Sequence, residues 1–189
     1  MGRSVLMKVP FLYLIFAVLV ASILLHISPT SAQNSPGDFL AAHNKARRAV
    51  GVGRMRWNNK VAKYARDYGN KIKGGCDFKH SGGPYGENLA FGRPDITGTR
   101  SVQLWVDEKK KYNCKKNECI GGFEECGHYT QLVWSRSVRL GCARVVCNGN
   151  KGTIVICNYD PPGNVRGQRP YKCPNILANS LDKFLHYNE

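Results

Sequence analysis

Acidic residues are scarce in this sequence: 13 Asp and Glu stand against 28 Lys and Arg, a formal net charge of +15 at pH 7 over 189 residues. A surface so short of acid attracts polyanions, which here means acidic cell-wall polymers such as pectin, or acidic membranes. Nucleic acid is excluded as a partner, because no basic run is interleaved with aromatics. The basic runs are Arg47-Arg48, Arg54 with Arg56, Lys109-Lys110-Lys111 and Lys115-Lys116, and most such runs are solvated faces. No Asn-x-Ser/Thr sequon occurs, so no N-glycan is expected. No Pro/Ser-rich linker and no internal repeat divides the chain, which predicts one domain. No Ser-His-Asp arrangement or nucleophile elbow is visible, so covalent catalysis has no support.

Long apolar runs are also missing beyond the first 32 residues. There, Arg3 and Lys8 precede an uncharged stretch from Val9 to Leu25 that ends in Thr30-Ser31-Ala32, the pattern of a secretory signal peptide cleaved after Ala32. Seventeen uncharged residues could just span a bilayer as an anchor, but the small residues at Thr30 and Ala32 favour cleavage. The exported remainder, roughly 150 residues, is long enough to bury about 68–70% of its unfolded surface in one core. All eight cysteines lie in it: Cys76, Cys114, Cys119, Cys126, Cys142, Cys147, Cys157 and Cys173. An even set in an oxidising compartment predicts four disulfides, with 105 possible connectivities. The competing reading is a zinc ribbon on Cys114, Cys119, Cys142 and Cys147.

Ser35-Pro36-Gly37-Asp38 predicts a helix start, and Phe39, Leu40, His43, Ala46 and Val50 follow at helical spacing to Gly51. A second helix is predicted from Asn59 to the Gly74-Gly75 stop, with Val61, Ala62, Tyr64, Ala65, Tyr68 and Ile72 as its apolar stripe. The glycine-rich stretch from Cys76 to Arg93 reads as a loop with a short strand near Asn88–Phe91. A third helix is predicted over Thr99–Lys111, which sets Glu108 beside the buried stripe. Tyr129–Trp134 predicts a short fourth helix. Val138–Cys147 and Thr153–Tyr159 predict an antiparallel hairpin across Asn148–Gly152. Helices around such a hairpin indicate an α+β sandwich.

Two segments carry the most information. Residues 127–134 read Gly-His-Tyr-Thr-Gln-Leu-Val-Trp, a histidine, a hydroxyl and an amide beside an apolar anchor. Residues 157–164 read Cys-Asn-Tyr-Asp-Pro-Pro-Gly-Asn. With Gln33-Asn34-Ser35-Pro36, His43-Asn44, Gly86-Glu87-Asn88 and Gln103-Leu104-Trp105-Val106, they give a chain that resembles the plant pathogenesis-related protein 1 family, part of the superfamily of cysteine-rich secretory and antigen 5 proteins. The resemblance covers Gln33 to Tyr171 and leaves residues 172–189 as a C-terminal extension.

That resemblance implies a three-layer α-β-α sandwich stapled by Cys76–Cys147, Cys119–Cys126 and Cys142–Cys157. Cys114, where relatives often carry an aromatic, and Cys173, in the extension, are additions expected to pair with each other. The family's central cleft maps onto His80, Glu87, Glu108 and His128. Two imidazoles and a carboxylate form a usual zinc set, with no cofactor otherwise required. The same four groups could equally form a closed network in which each histidine donates to a glutamate.

By the same resemblance the expected role is plant defence through binding sterols or related lipids of pathogen membranes. The binding region would lie around the loop after the third helix, at Trp105, Tyr112 and Ile120. The alternatives are a zinc-dependent hydrolase at the cleft, and a precursor of a signalling peptide spanning Pro161 to Tyr171. A monomer is expected, exported to the apoplast, with the vacuole as the other destination.

Overall fold

The computed structural model describes residues 33–173. Residues 1–32, expected to be a signal peptide, and residues 174–189 of the extension lie outside the described residues. Helix α1 (Pro36–Arg48) starts on a capping box, in which the Ser35 hydroxyl accepts from Asp38 N (3.2 Å) and the Asp38 carboxylate accepts from Ser35 N (2.9 Å). It ends earlier than its apolar spacing predicts, and residues 49–51 form a turn. The two-residue strand β1 (Arg56–Trp57) follows, then α2 (Asn59–Ile72), capped by the Asn58 side chain. Strand β2 (Gly86–Gly92) leads to α3 (Gly98–Asp107), capped by Thr97. The predicted third helix tightens at Glu108 into a 3-10 turn, Glu108–Lys111. A small hairpin that the spacing did not reveal comes next, β3 (Tyr112–Asn113) and β4 (Glu118–Cys119). After a second 3-10 turn (Phe123–Glu125) come α4 (Gly127–Leu132) and the strands β5 (Arg139–Val146) and β6 (Thr153–Asp160).

The main sheet has the order β1-β5-β6-β2, with β1 parallel to β5 and the other pairs antiparallel. Side chains alternate across it with period two. Leu140, Val155, Cys157 and Tyr159 face one core with Phe39, Val102, Trp105, Tyr129 and Leu132 from α1, α3 and α4. Ala143, Val145, Ile154 and Ile156 face the other, against Ala65 and Ile72 of α2. The result is the α-β-α sandwich, with the sheet apolar on both sides. Gly141 lets α2 approach closely, since a Cβ there would run into the Val61–Ala62 backbone.

The disulfides are Cys76–Cys147, Cys114–Cys173, Cys119–Cys126 and Cys142–Cys157. They consume every cysteine, so no thiol remains for a zinc ribbon. One basic run is also corrected. Arg47 is not a solvated charge but is 0% exposed. Its guanidinium donates to the carbonyls of Gly53 (2.7 Å), Leu132 (3.0 Å), Trp134 (2.8 Å) and Ser137 (3.0 Å). The last three are acceptors at and just beyond the C-terminal end of α4, where a cation is also favoured by the helix dipole. Burial lowers its pKa to about 10, which leaves it charged at neutral pH.

Candidate functional site

Strand β2 is an edge strand, and its first residues bring the cleft together. Glu87 is paired in register with Asn158 of β6, so their side chains share a face. Glu87 Oε1 accepts from His80 Nδ1 (3.0 Å) and from Ser81 N (2.8 Å), and Oε2 accepts from Asn158 Nδ2 (3.1 Å). Burial pushes the Glu87 pKa up, but the bonds from His80, Ser81 and Asn158 outweigh it and hold the carboxylate below its ordinary value. The same bond to Glu87 raises the pKa of His80. The second pair repeats the pattern: His128, at the start of α4, donates from Nδ1 to Glu108 Oε1 (2.7 Å), while Tyr129 N donates to Oε2 (3.1 Å). Glu108 reaches α4 because α3 tightens into its 3-10 turn at that residue.

His80, Glu87 and His128 line one small cavity of about 60 Å³, together with Asn88, Phe123, Glu124, Gly127 and Asn164. The described side chains thus form two closed His-Glu pairs. Among the described residues no three His, Cys, Asp or Glu side chains converge as a metal-holding group. A carboxylate accepts only, so each bonded Nδ1 carries a proton, and in the neutral ring Nε2 is the nitrogen left with a lone pair.

Beneath the cleft runs a buried chain of polar groups. Asn88 Nδ2 donates to the His128 carbonyl (2.9 Å) and to Tyr159 Oη (3.0 Å). The Tyr159 hydroxyl in turn donates to His43 Nε2 (2.9 Å), and His43 Nδ1 donates to the Phe39 carbonyl (2.7 Å). Asn158, Tyr159 and Asn88 were within reach of sequence reading, since they sit inside the quoted Cys-Asn-Tyr and Gly-Glu-Asn segments. Their pairing across β2 and β6 supplies what the one-dimensional pattern lacks. Asn158 Oδ1 is buried without a hydrogen-bond partner.

The three residues expected to bind lipid do not line one cavity. Trp105 is 2% exposed, donates from Nε1 to the Leu89 carbonyl (3.1 Å) and stacks beside the His128 ring. Tyr112, half-buried, lines a separate cavity of about 370 Å³ with Asn117, Phe123, Trp134, Val165 and Gln168 among its neighbours. Ile120 is 56% exposed on the loop beyond. Residues Pro161 to Tyr171 form an irregular closing segment after β6, exposed in its middle. It is pinned at both ends: Ser137 Oγ donates to the Pro161 carbonyl (2.7 Å), and Tyr171 is buried against Tyr112 and Tyr129.

Comparisons with known proteins agree with this architecture. Residues 40–159 match the sequence profile described as the cysteine-rich secretory protein family, CAP. The chain is 54% identical to a pathogenesis-related protein 1 of Arabidopsis thaliana, covering 84% of this chain and 94% of that protein. It is also 54% identical to the basic form of pathogenesis-related protein 1 of Nicotiana tabacum, covering 84% of each. Among solved structures it resembles Schistosoma mansoni venom allergen-like protein 4, with 27% identity and a TM-score of 0.61 over 76% of this chain and 99% of that one. Four disulfides and these relatives are those of a secreted protein. The chain belongs to the cysteine-rich secretory protein family, as a plant defence protein of the pathogenesis-related protein 1 type.

Proposed function

We propose that this defence protein acts in the apoplast by binding sterols or related lipids of pathogen membranes in the cavity beside Tyr112. The supporting observation is the cavity itself. Its volume, about 370 Å³, falls in the range of roughly 300–1,000 Å³ typical of small-molecule sites. Tyr112, Phe123, Trp134, Val165 and Pro170 give it apolar wall, and Asn117, Thr130 and Asn164 give it polar edges. A flat, largely apolar ligand with one hydroxyl suits that mixture. The test is equilibrium uptake of radiolabelled sterol by the pure protein. Saturable uptake is expected, weakened about tenfold or more by Gln168→Trp, which places a bulky ring among the lining residues. Unsaturable uptake, or uptake unchanged by the tryptophan, would sink the reading.

A second reading concerns the cleft. His80 and His128 spend Nδ1 on carboxylates and keep Nε2 for another partner beside one cavity. A carboxylate behind each imidazole is how metal-ligating histidines are commonly oriented. On this reading a divalent cation such as zinc would take the two Nε2 atoms as its protein ligands and water at its other positions, with Glu87 and Glu108 as supports. Hydrolysis is less well served, because both glutamates are already engaged by the histidines and neither is spare to activate a water.

A further inference from the structure

Loop residues 119–126 present two large apolar side chains to solvent, Ile120 at 56% and Phe123 at 58% exposure, and Val165 is 43% exposed on the closing segment. Phe123 and Val165 line the Tyr112 cavity together, and Ile120 follows Cys119, another of its lining residues. Exposed side chains of this size gathered at one place mark an interaction surface more often than a solvated one. Two disulfides fix this place. Cys119–Cys126 closes the loop that carries Ile120 and Phe123, and Cys114–Cys173 joins the β3–β4 hairpin to the end of the closing segment. Little ordering is therefore required when the loop binds.

Basic groups outnumber acidic ones around it, Lys111, Lys115, Lys116 and Arg166 against Glu118, Glu124 and Glu125. Lys111 accepts Ile120 N on its carbonyl (2.7 Å), Lys115 and Lys116 form the turn of the β3–β4 hairpin, and Arg166 lines the same cavity as Phe123. The nearby acids are already balanced or turned elsewhere. Glu125 pairs with Lys111 (3.6 Å) and Glu118 with Lys116 (3.5 Å), while Glu124 lines the His80 cleft.

We infer that the 119–126 loop is a membrane-docking surface. Ile120 and Phe123 enter the acyl boundary of an anionic bilayer while Lys115 and Arg166, which no acid among the described residues balances, sit at its headgroups, a step that rests on the lipid-binding reading of the neighbouring cavity. Apolar tips within a basic rim are the chemistry of an interfacial anchor. An acidic polysaccharide would meet the same lysines, but it has no use for an exposed isoleucine, so the bilayer is the occupant that accounts for both halves of the surface. Docking there would open the cavity mouth, at Phe123 and Val165, toward the lipid.

The experiment is co-sedimentation of the secreted full-length protein with sterol-free vesicles of phosphatidylcholine, with and without phosphatidylserine. Wild type is expected to bind the anionic vesicles and to bind neutral ones weakly. Ile120→Ser/Phe123→Ser, at exposed positions that leave the core intact, is expected to lower partitioning about tenfold or more. Lys115→Glu/Lys116→Glu is expected to abolish the preference for phosphatidylserine and its salt sensitivity. If the serine variant binds as wild type does, and polygalacturonate strips both from the vesicles, the surface reads polyanions and the docking is overturned. It is likewise overturned if wild type ignores vesicles of either composition. Because no sterol is present, the outcomes separate: a protein that takes up dispersed sterol yet ignores vesicles loses only the docking, and one that docks without sterol uptake loses only the cavity reading.

Discussion

His43 and Arg47 lie one turn apart on α1, both fully buried, and they meet burial in opposite ways. Arg47 keeps its charge because four carbonyls surround it, three of them from α4 and the residues after it, which no spacing within α1 could announce. In the sequence it reads as half of a solvated Arg-Arg pair, and only the fold brings the acceptors to it. His43 gives up its charge instead. Burial lowers its pKa from 6.5 to about 4, against the raising effect of the Phe39 carbonyl and helped by the charge on Arg47. Its apolar-stripe position was legible, but its bond to Tyr159 was not. The folded value lies below the unfolded one, so between pH 6.5 and 4 the unfolded chain takes up a proton that the folded chain refuses. Stability is therefore whole above pH 6.5 and falls as pH drops toward 4, by on the order of 3 kcal/mol for this group. Urea unfolding across that range is expected to show the decline in wild type and a flatter profile in His43→Gln. An equal slope in both would remove His43 as its source.

At the scale of elements, what the sequence announced were features with local causes. The Ser35-Pro36-Gly37-Asp38 box and the turn between β5 and β6 each act within a few residues, and each stands where the pattern predicts. The β3–β4 hairpin was not legible, because two-residue strands have no period to read and this pair is held by distant groups. Arg169 donates to the carbonyls of Cys114 and Lys115, Asn117 Nδ2 to the Gln168 carbonyl (3.2 Å), and Cys114 is bonded to Cys173. That disulfide spans a sequence separation of 59, for which the chain-entropy model gives about 4 kcal/mol. The Cys119–Cys126 and Cys142–Cys157 bonds inside this loop already shorten it, so Cys114→Ser/Cys173→Ser is expected to cost somewhat less. The loss should be accompanied by faster amide exchange at residues 112–119 than in α2. A variant as stable as wild type, with unchanged exchange, would make the bond an ornament of the hairpin.

Across the whole molecule the cleft is where the two layers of the sandwich meet around the edge of the sheet. His80 arrives from the loop that follows α2, on one side, and His128 from α4, on the other, each fixed by its own glutamate. Listing two histidines and two glutamates was possible from the motifs alone. Which histidine meets which glutamate was not, since it follows from Glu87 facing Asn158 across β2–β6 while Glu108, in the 3-10 turn after α3, bonds His128 at the start of α4. A cation shared by both imidazoles would tie the layers together, and it would bind the folded state alone. At a free zinc concentration a hundred times its Kd such a site adds about 2.7 kcal/mol, a rise in Tm of roughly 5–10 °C for a domain of this size. The rise should vanish in His80→Gln and in His128→Gln. In Glu87→Gln or Glu108→Gln it should need about 10–100-fold more zinc, because the supporting carboxylate no longer orients the ring. A thermal shift that persists in the double histidine variant would place the metal elsewhere, and no shift in wild type would leave the two His-Glu pairs as a structural clasp between the layers.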